Sequence, residues 1–282
     1  MKQISDYVKN NIGQSTFLST GNKTLDSIIG GIPTGGTLIT IMGNAGLRTD
    51  FMLSLAFVQA IDNDVPVALY DNYAYWGNAA TKLLAYIGDC SWNNWCEKEN
   101  IDSTEYDELI TSIKAKPLYL SVGEEMNVYA LCDSIRQQIS KGVKVFFIST
   151  MQDYSVYEKS NVDADRKMAI MLKRLSAECH VTIFVESISN YHVYEREGLN
   201  GYTPVLGDLS QVGDLHEFSD IVIGVFAPED YGAFMNENGD DIRGKIQLNV
   251  LKNNRGYLGK AWMEKTSRYR HYNDLHTKKV VI

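Results

Sequence analysis

The alternation of short apolar runs with segments of helical periodicity constrains the fold of this chain more than any other feature. Six runs rich in β-branched and aromatic residues follow one another, and amphipathic segments lie between several of them. This order is typical of a mostly parallel sheet with crossover helices. The predicted strands are Thr37–Met42, Pro66–Tyr70, Leu118–Val122, Val143–Ser149, Val181–Glu186 and Ile221–Phe226. The predicted helices lie near Asp50–Ile61, Asn78–Ile87, Asn127–Ser140 and Asp165–Cys179.

The C-terminal part of the chain follows a different pattern. Two β-rich runs, Lys245–Lys252 and Gly259–Lys265, are joined by the turn NNRGYLG, which predicts an antiparallel hairpin. A length of 282 residues suits one large α/β domain or two small ones. We therefore expect a single domain over residues 19–282, preceded by an arm or short helix over residues 1–18.

Charge and composition limit the classes of function. A net charge of -8 argues against a protein that coats nucleic acid over its whole surface. The segment 251–282 has a net charge of +6 and could contact a phosphate backbone, although a solvated final hairpin is the alternative. The chain has no apolar run long enough to cross a membrane and no apolar core of a secretory signal, so we expect a cytoplasmic protein. The five histidines and four cysteines lack ligand spacing, and no metal site is expected.

The segment after the first predicted strand has the context of a phosphate-binding loop. The strand Thr37–Met42 leads into a glycine-containing loop and then into an apolar-faced helix. In such a loop the glycines let backbone N–H groups turn toward an anion, and the helix N-terminus adds a partial positive charge. The candidate nucleotide-binding residues in this segment, which we call the 43–50 segment, are Gly43, Asn44, Ala45, Gly46, Arg48, Thr49 and Asp50.

The 43–50 segment departs from the usual pattern G-x-x-x-x-G-K-[ST]. With Thr49 at the final hydroxyl, Met42, Leu47 and Arg48 fall on the first glycine, the second glycine and the lysine. A Cβ at Leu47 crowds the turn around a phosphate, and the planar guanidinium of Arg48 replaces a compact ammonium poorly. Two interpretations stay open: a weakened phosphate site that holds ATP with magnesium on Thr49, or a strand–turn–helix that binds nothing.

Three segments, in the same order and spacing, resemble the motor domain of DnaB-type replicative helicases. They are TGNKTLD with GGIPTGGTLITI (20–41), GDLSQVGDLHEFSDIVIGVF (207–226) and LNVLKNNRGYLGKAWMEK (248–265). The later two match the family at Asp208, Leu209, Gly213, Asp220, Lys252, Gly256 and Gly259. The first segment also resembles KaiC- and RadA-like proteins, whereas the later two favour DnaB. The resemblance covers roughly residues 18 to 270 and implies a RecA-like P-loop NTPase fold with C-terminal antiparallel strands.

The resemblance also shows which catalytic residues are replaced. Tyr73 stands where the family has the glutamate that activates water, Ser149 where it has the Walker B aspartate, and Ser187 where it has a polar sensor. The nearby carboxylates are the weak candidates for catalysis: Asp71, Asp153 and Glu186. Phosphoryl transfer depends on positioning and electrostatic stabilisation, so these losses predict weak or absent ATP hydrolysis. A compensated active site that uses Asp71 or Asp153 is the alternative.

The resemblance further implies contacts between subunits and with DNA. Lys252 stands where the family has a lysine that reaches a neighbour's nucleotide, and Arg255 is one residue from the position of the arginine finger. The implied partners are a related helicase subunit, a second copy of this chain, or DNA. Tyrosines in or near loops that follow strand ends could stack on DNA bases, although packed or solvated side chains are the default: Tyr154, Tyr157, Tyr191, Tyr194 and Tyr202.

These observations predict a DnaB-helicase-like protein of DNA replication or metabolism that acts by binding nucleotide, DNA or protein. An active ATP-dependent helicase with an unusual catalytic set and a pure interaction scaffold are the two alternatives.

Overall fold

A nine-stranded sheet forms the centre of the protein in the computed structural model. The structure describes residues 17–73, 79–88, 103–154, 161–188, 196, 202–209, 215–236, 238–265 and 272–274. The strands are β1 (Phe17–Leu18), β2 (Ile32–Pro33), β3 (Thr37–Gly43), β4 (Val67–Asp71), β5 (Leu118–Val122), β6 (Val145–Ile148), β7 (Thr182–Ser187), β8 (Ile221–Phe226), β9 (Lys245–Asn253), β10 (Gly259–Lys265) and β11 (Tyr272–Asp274). The helices are α1 (Lys23–Ile29), α2 (Ala45–Phe57), α3 (Ala79–Gly88), α4 (Ser103–Lys114), α5 (Val128–Ser140), α6 (Asn161–Cys179) and α7 (Leu215–Phe218).

The strand order separates a parallel part of the sheet from an antiparallel part. Across the sheet the order is β11-β10-β9-β8-β3-β7-β6-β4-β5. The strands from β8 to β5 pair in parallel, whereas β9, β10 and β11 pair antiparallel. The mostly parallel sheet with C-terminal antiparallel strands is therefore confirmed.

The central position of β3 explains why its sequence is a continuous apolar run. β3 lies between β7 and β8, and all seven of its residues are buried. Parallel strands that are covered on both faces read in this way rather than as an alternation. One face packs against α1 and α2 through a core that includes Phe51, Leu55 and Phe184. The other face packs against α5 and α6 through Leu131, Ile135 and Leu172.

The helix that follows β3 begins earlier than the sequence predicts. Its predicted start is Asp50, but α2 begins at Ala45 and passes into a π-helical turn over Val58–Asp62. The sequence analysis assigned Ala45–Thr49 to a loop because it follows a glycine. In the structure this stretch is the first turn of the helix, so the side chains of the 43–50 segment are held by helical backbone.

The TGNKTLD segment serves as a capping network for α1. The Asn22 side chain accepts a hydrogen bond from the Leu25 N–H at 2.6 Å, as an N-cap residue does. Asp26 accepts from the backbone N–H of Thr20 at 2.8 Å and from its hydroxyl at 2.7 Å. Gly30 ends the helix in the left-handed conformation, with φ of 77°. These polar residues position α1 against β9 and β10.

The N-terminal arm predicted over residues 1–18 falls mostly outside the described residues. Its last two residues form β1, which pairs antiparallel with β2. Among the residues that the structure describes, no helix is both long enough and apolar enough to cross a membrane.

Candidate functional site

The 43–50 segment lies at the carboxyl ends of the parallel strands, where ligands of open α/β sheets bind. β3 ends at Gly43, and its neighbours β7 and β8 end beside it. The carboxyl ends of β4 and β6 continue the same edge of the sheet. Side chains from four separate parts of the sequence therefore meet at the start of α2.

Gly43 is required by the packing of β3 on β8. Its φ is +141°, and a Cβ at this position would collide with the backbone carbonyl oxygen of Val225. The backbone of β8 thus approaches Gly43 too closely for any other residue. The sequence analysis considered Gly43 only as part of a phosphate loop, because the pairing of β3 with β8 cannot be seen along the chain.

Asn44 has the backbone conformation of an N-cap, but its side chain makes no capping hydrogen bond to α2. Its Oδ1 atom accepts a hydrogen bond from the Tyr231 hydroxyl at 2.9 Å. The Tyr231 ring stacks on Tyr202 and Phe226, with centroid distances of 4.4 and 5.4 Å. The side chain of Asn44 is therefore turned away from the backbone N–H groups of the first helical turn, the groups that bind anions in phosphate loops.

The Arg48 guanidinium is buried and directed toward the sheet. Its Nε atom lies 3.3 Å from Glu186 Oε2, its Nη1 atom donates to the Gly43 carbonyl at 3.2 Å, and its Nη2 atom donates to Thr150 Oγ1 at 3.1 Å. Arg48 is 7% exposed and Glu186 is 1% exposed. A rigid guanidinium can satisfy three acceptors in different directions at once, which a lysine ammonium on the same helix would do less well.

Glu186 also accepts a hydrogen bond from the Thr49 hydroxyl, at 3.0 Å. The alternation of side chains along β7 explains its direction, because Phe184 and Glu186 face α2 whereas Val185 faces the opposite core. Asp50, the last residue of the segment, points elsewhere and forms an ion pair with Lys82 of α3 at 2.6 Å. Of the predicted segment, Arg48 and Thr49 are thus brought together with Glu186, and Asp50 is not.

The other candidate carboxylates lie beside this cluster. Asp71, at the end of β4, is 2% exposed and accepts a hydrogen bond from the Ser149 hydroxyl at 3.3 Å. Asp153 is half-buried, and its Oδ2 atom is buried without a hydrogen-bond partner. Burial, with a smaller contribution from the negative charge of Asp71, raises the pKa of Asp153 to about 6, although the charge of Arg48 opposes the shift. Tyr73 is 50% exposed.

Lys252 and Arg255 lie at the opposite end of the sheet. Lys252 pairs with Val222 near the start of β8, whereas Gly43 pairs with Val225 near its end. The Lys252 ammonium donates to the His216 carbonyl at 2.8 Å, and burial lowers its pKa. Neither side chain can therefore reach the 43–50 segment of its own chain, and any contact with nucleotide would be with another copy.

The tyrosines considered for DNA contact have different environments. Tyr154 is 1% exposed and packs in the core, and Tyr202 stacks on Tyr231. Tyr157, Tyr191 and Tyr194 lie outside the described residues. Packing is thus the observed state for Tyr154, as the default interpretation expected. In the described part of the chain, no three His, Cys, Asp or Glu side chains are grouped so as to hold a metal ion.

Sequence reasoning missed three side chains of the site, namely Thr150, Tyr231 and Lys82. Thr150 directly follows the predicted strand Val143–Ser149, so its place at the strand end was a usable signal. Tyr231 and Lys82 gave no such signal, because their contacts depend on strand order and on helix packing.

The parallel sheet, the strand–turn–helix at its carboxyl edge and the antiparallel C-terminal strands together define a RecA-like domain of the P-loop class. The sequence matches the DnaB-like helicase C terminal domain over residues 18–274, and the chain belongs to that family. The structure is similar to a solved helicase ATPase domain, with a TM-score of 0.80 and 18% identity over 97% of this chain and 96% of that chain. It is also similar to a DnaB-like replicative helicase studied with its primase interactions, with a TM-score of 0.80 and 17% identity over 97% of this chain and 67% of that chain. Among proteins with curated functions, none matches this chain.

Proposed function

We propose that this chain is a DnaB-like module of DNA replication or metabolism that holds nucleotide phosphate weakly and hydrolyses ATP slowly or not at all. It would act in the cytoplasm by binding nucleotide, DNA or a related helicase subunit. Family membership and the RecA-like fold support the general role. The inward direction of Arg48 is the observation on which the proposal of weak nucleotide binding rests.

The inward direction of Arg48 removes the cation that a phosphate loop needs. In a working loop the basic side chain reaches the terminal phosphates, whereas Arg48 donates to Gly43, Thr150 and Glu186. The backbone N–H groups at the start of α2 still favour an anion, because Asn44 does not cap them. Weak phosphate binding through backbone groups follows from this combination.

The carboxylates near the loop support slow hydrolysis. The family's water-activating glutamate is replaced by the exposed Tyr73, and Asp71 is buried against Ser149. Magnesium would find Thr49 and Glu186 at the loop, but Ser149 replaces the aspartate that orders its water. These residues fit a phosphate group better than a magnesium–nucleotide complex. Missing preorganised groups in phosphoryl transfer each cost orders of magnitude in rate.

One observation favours the alternative of an active ATPase. The raised pKa of Asp153, about 6, lies near the working pH of a general base, and its Oδ2 atom is buried without a hydrogen-bond partner. In this alternative Asp153 would accept the proton of the attacking water. Magnesium-dependent ATP hydrolysis that Asp153→Asn abolishes, and that single-stranded DNA stimulates, would favour it over slow or absent hydrolysis.

Nucleotide titration tests the leading proposal. A fluorescent ATP analogue is titrated into the full chain with and without magnesium, beside Arg48→Lys, which keeps the charge on a more flexible stem. We expect a wild-type Kd near the millimolar range that depends little on magnesium, and a turnover number far below the roughly 1–10³ s⁻¹ of ordinary enzymes. Absence of binding at millimolar nucleotide would leave an interaction scaffold, and fast magnesium-dependent turnover would establish an ATPase.

The same proposal assigns Lys252 and Arg255 to contacts between subunits. Both lie at the end of the sheet opposite the 43–50 segment, so they would meet the nucleotide of a neighbouring copy or a related subunit. Arg255→Ala is expected to weaken nucleotide binding only at protein concentrations at which the chain self-associates or a related subunit is present. Sedimentation velocity with and without nucleotide measures that association.

A further inference from the structure

Glu186 places a negative charge where it competes with phosphate for the only cation held inside the 43–50 segment. Its Oε2 atom lies 3.3 Å from Arg48 Nε and accepts the Thr49 hydroxyl at 3.0 Å. The Arg48 and Glu186 side chains are 8% and 1% exposed, so water screens the pair weakly. The carboxylate is thus an intramolecular anion already bound at the start of α2.

We propose that the Arg48–Glu186 pair is an autoinhibitory lock. A nucleotide phosphate gains the guanidinium only when Arg48 leaves Glu186, Thr150 and the Gly43 carbonyl. This inference rests on the proposed weak phosphate binding, and it names the group that makes the binding weak. The lock explains how an arginine can stand at the position of the loop's lysine and yet contribute little to the affinity.

The geometry favours a lock over a simple vacancy of the basic group. Arg48 lies on the first turn of α2, and its three acceptors come from the end of β3, the residue after the β6 strand end, and β7. Two of the three acceptors are neutral, so Glu186 provides the charge that holds the guanidinium. Removing that charge while keeping the shape of the side chain should release Arg48 toward the N-terminus of α2.

The test compares variants that loosen Arg48 to different degrees. Glu186→Gln removes the charge and keeps an acceptor for Thr49, and Thr150→Val removes one neutral acceptor without leaving a buried charge unpaired. Glu124→Gln is the control, because Glu124 is exposed and accepts only the Ser121 hydroxyl among its described hydrogen bonds. The probe is a fluorescent ATP analogue without magnesium, displaced by inorganic tripolyphosphate.

We expect Glu186→Gln to tighten probe binding about tenfold and Thr150→Val about threefold, the changes that roughly 1.4 and 0.7 kcal/mol produce. Glu124→Gln should bind as the wild type does. The double variant Arg48→Gln with Glu186→Gln should lose the gain, because the gain depends on the released guanidinium. A gain that persists without Arg48 would overturn the lock.

The outcomes separate this inference from the proposed function. If the wild type binds the probe and neither Glu186→Gln nor Thr150→Val tightens it, the lock is wrong and weak phosphate binding stands. If neither the wild type nor any folded variant binds, both are wrong. If only the loosened variants bind, the lock is supported. Far-ultraviolet circular dichroism identifies variants that do not fold, and Thr150→Val then decides the result.

Discussion

The site of this protein shows how a single substitution changes the role of a residue. Arg48 keeps the charge of a phosphate-loop lysine, but its guanidinium is held by Glu186, Thr150 and the Gly43 carbonyl. A buried ion pair of this kind is costly to break from one side, because the remaining charge has no compensating partner. Arg48 therefore contributes to stability whether or not it ever contacts a ligand.

The first prediction follows from that burial. Arg48→Met leaves the Glu186 carboxylate without its cation, so we expect the free energy of unfolding to fall by about 3–5 kcal/mol. Adding Glu186→Gln should restore most of the loss, since both charges are then absent. Urea denaturation followed by circular dichroism measures the change. Arg136→Met is the matched control: Arg136 pairs with Asp133 at 3.0 Å on the surface, and its loss should cost at most about 1 kcal/mol.

Asp153 gives a prediction about pH. Burial, followed by the charge of Asp71, raises its pKa from 3.8 to about 6, so the folded protein binds this proton more tightly than the unfolded chain does. The stability that protonation provides is present below about pH 4 and is lost as the pH rises through about 6. Asp153→Asn does not titrate. We expect it to exceed the wild type in free energy of unfolding by about 1–2 kcal/mol at pH 7.5, discounted because Asp153 is partly exposed.

Urea unfolding at pH 4 and pH 7.5 checks this prediction. The two proteins should differ less at pH 4 than at pH 7.5, because the wild-type carboxyl is then largely protonated. A difference that is equal at both pH values would show that the Asp153 charge is not penalised in the folded state.

At the scale of elements, the strands were predictable and their neighbours were not. The continuous apolar runs correctly predicted β3, β4, β5, β6, β7 and β8, because strands covered on both faces are apolar throughout. The start of α2 was predicted five residues late, since glycine and asparagine were taken as loop residues. The order of the strands, which brings Tyr231 to Asn44, arises from long-range pairing that no local pattern encodes.

The candidate site was predicted in part for the same reason. The sequence indicated Arg48, Thr49 and Glu186, but not that they form one cluster. The alternation along β7 could have shown that Glu186 rather than Ser187 faces α2. The direction of the Arg48 side chain could not be predicted, because it depends on three acceptors from separate strands.

The two glycines of the 43–50 segment give a prediction at this scale. Gly43→Ala forces a Cβ into the Val225 carbonyl at a φ of +141°, so we expect the free energy of unfolding to fall by about 2–5 kcal/mol. Gly46 lies on the exposed side of the first turn of α2, where alanine should raise it by about 0.5–1 kcal/mol. Thermal and urea denaturation of both variants measure the contrast. Equal effects would mean that the two glycines serve the same purpose.

At the scale of the whole molecule, the site connects the two halves of the sheet. β3 pairs with β7 on one side and with β8 on the other, and the residues around the 43–50 segment come from both sides. Asp220 adds a link at the opposite end, because it accepts the Leu38 N–H at 2.8 Å and pairs with Lys173 of α6 at 2.6 Å. A ligand at the segment therefore contacts a part of the fold that unfolds with the central sheet.

This connection predicts how nucleotide changes global stability. A ligand that binds only the folded state at ten times its Kd raises the free energy of unfolding by about 1.4 kcal/mol. We expect that gain with the ATP analogue and with tripolyphosphate, since both offer the phosphates that the start of α2 favours, and a smaller gain with AMP. The measurement is urea unfolding followed by tryptophan fluorescence, at ligand concentrations set by the titration. An unchanged unfolding midpoint at saturating ligand would contradict a site assembled from the ends of the central strands, because a ligand bound there must be released before the sheet unfolds.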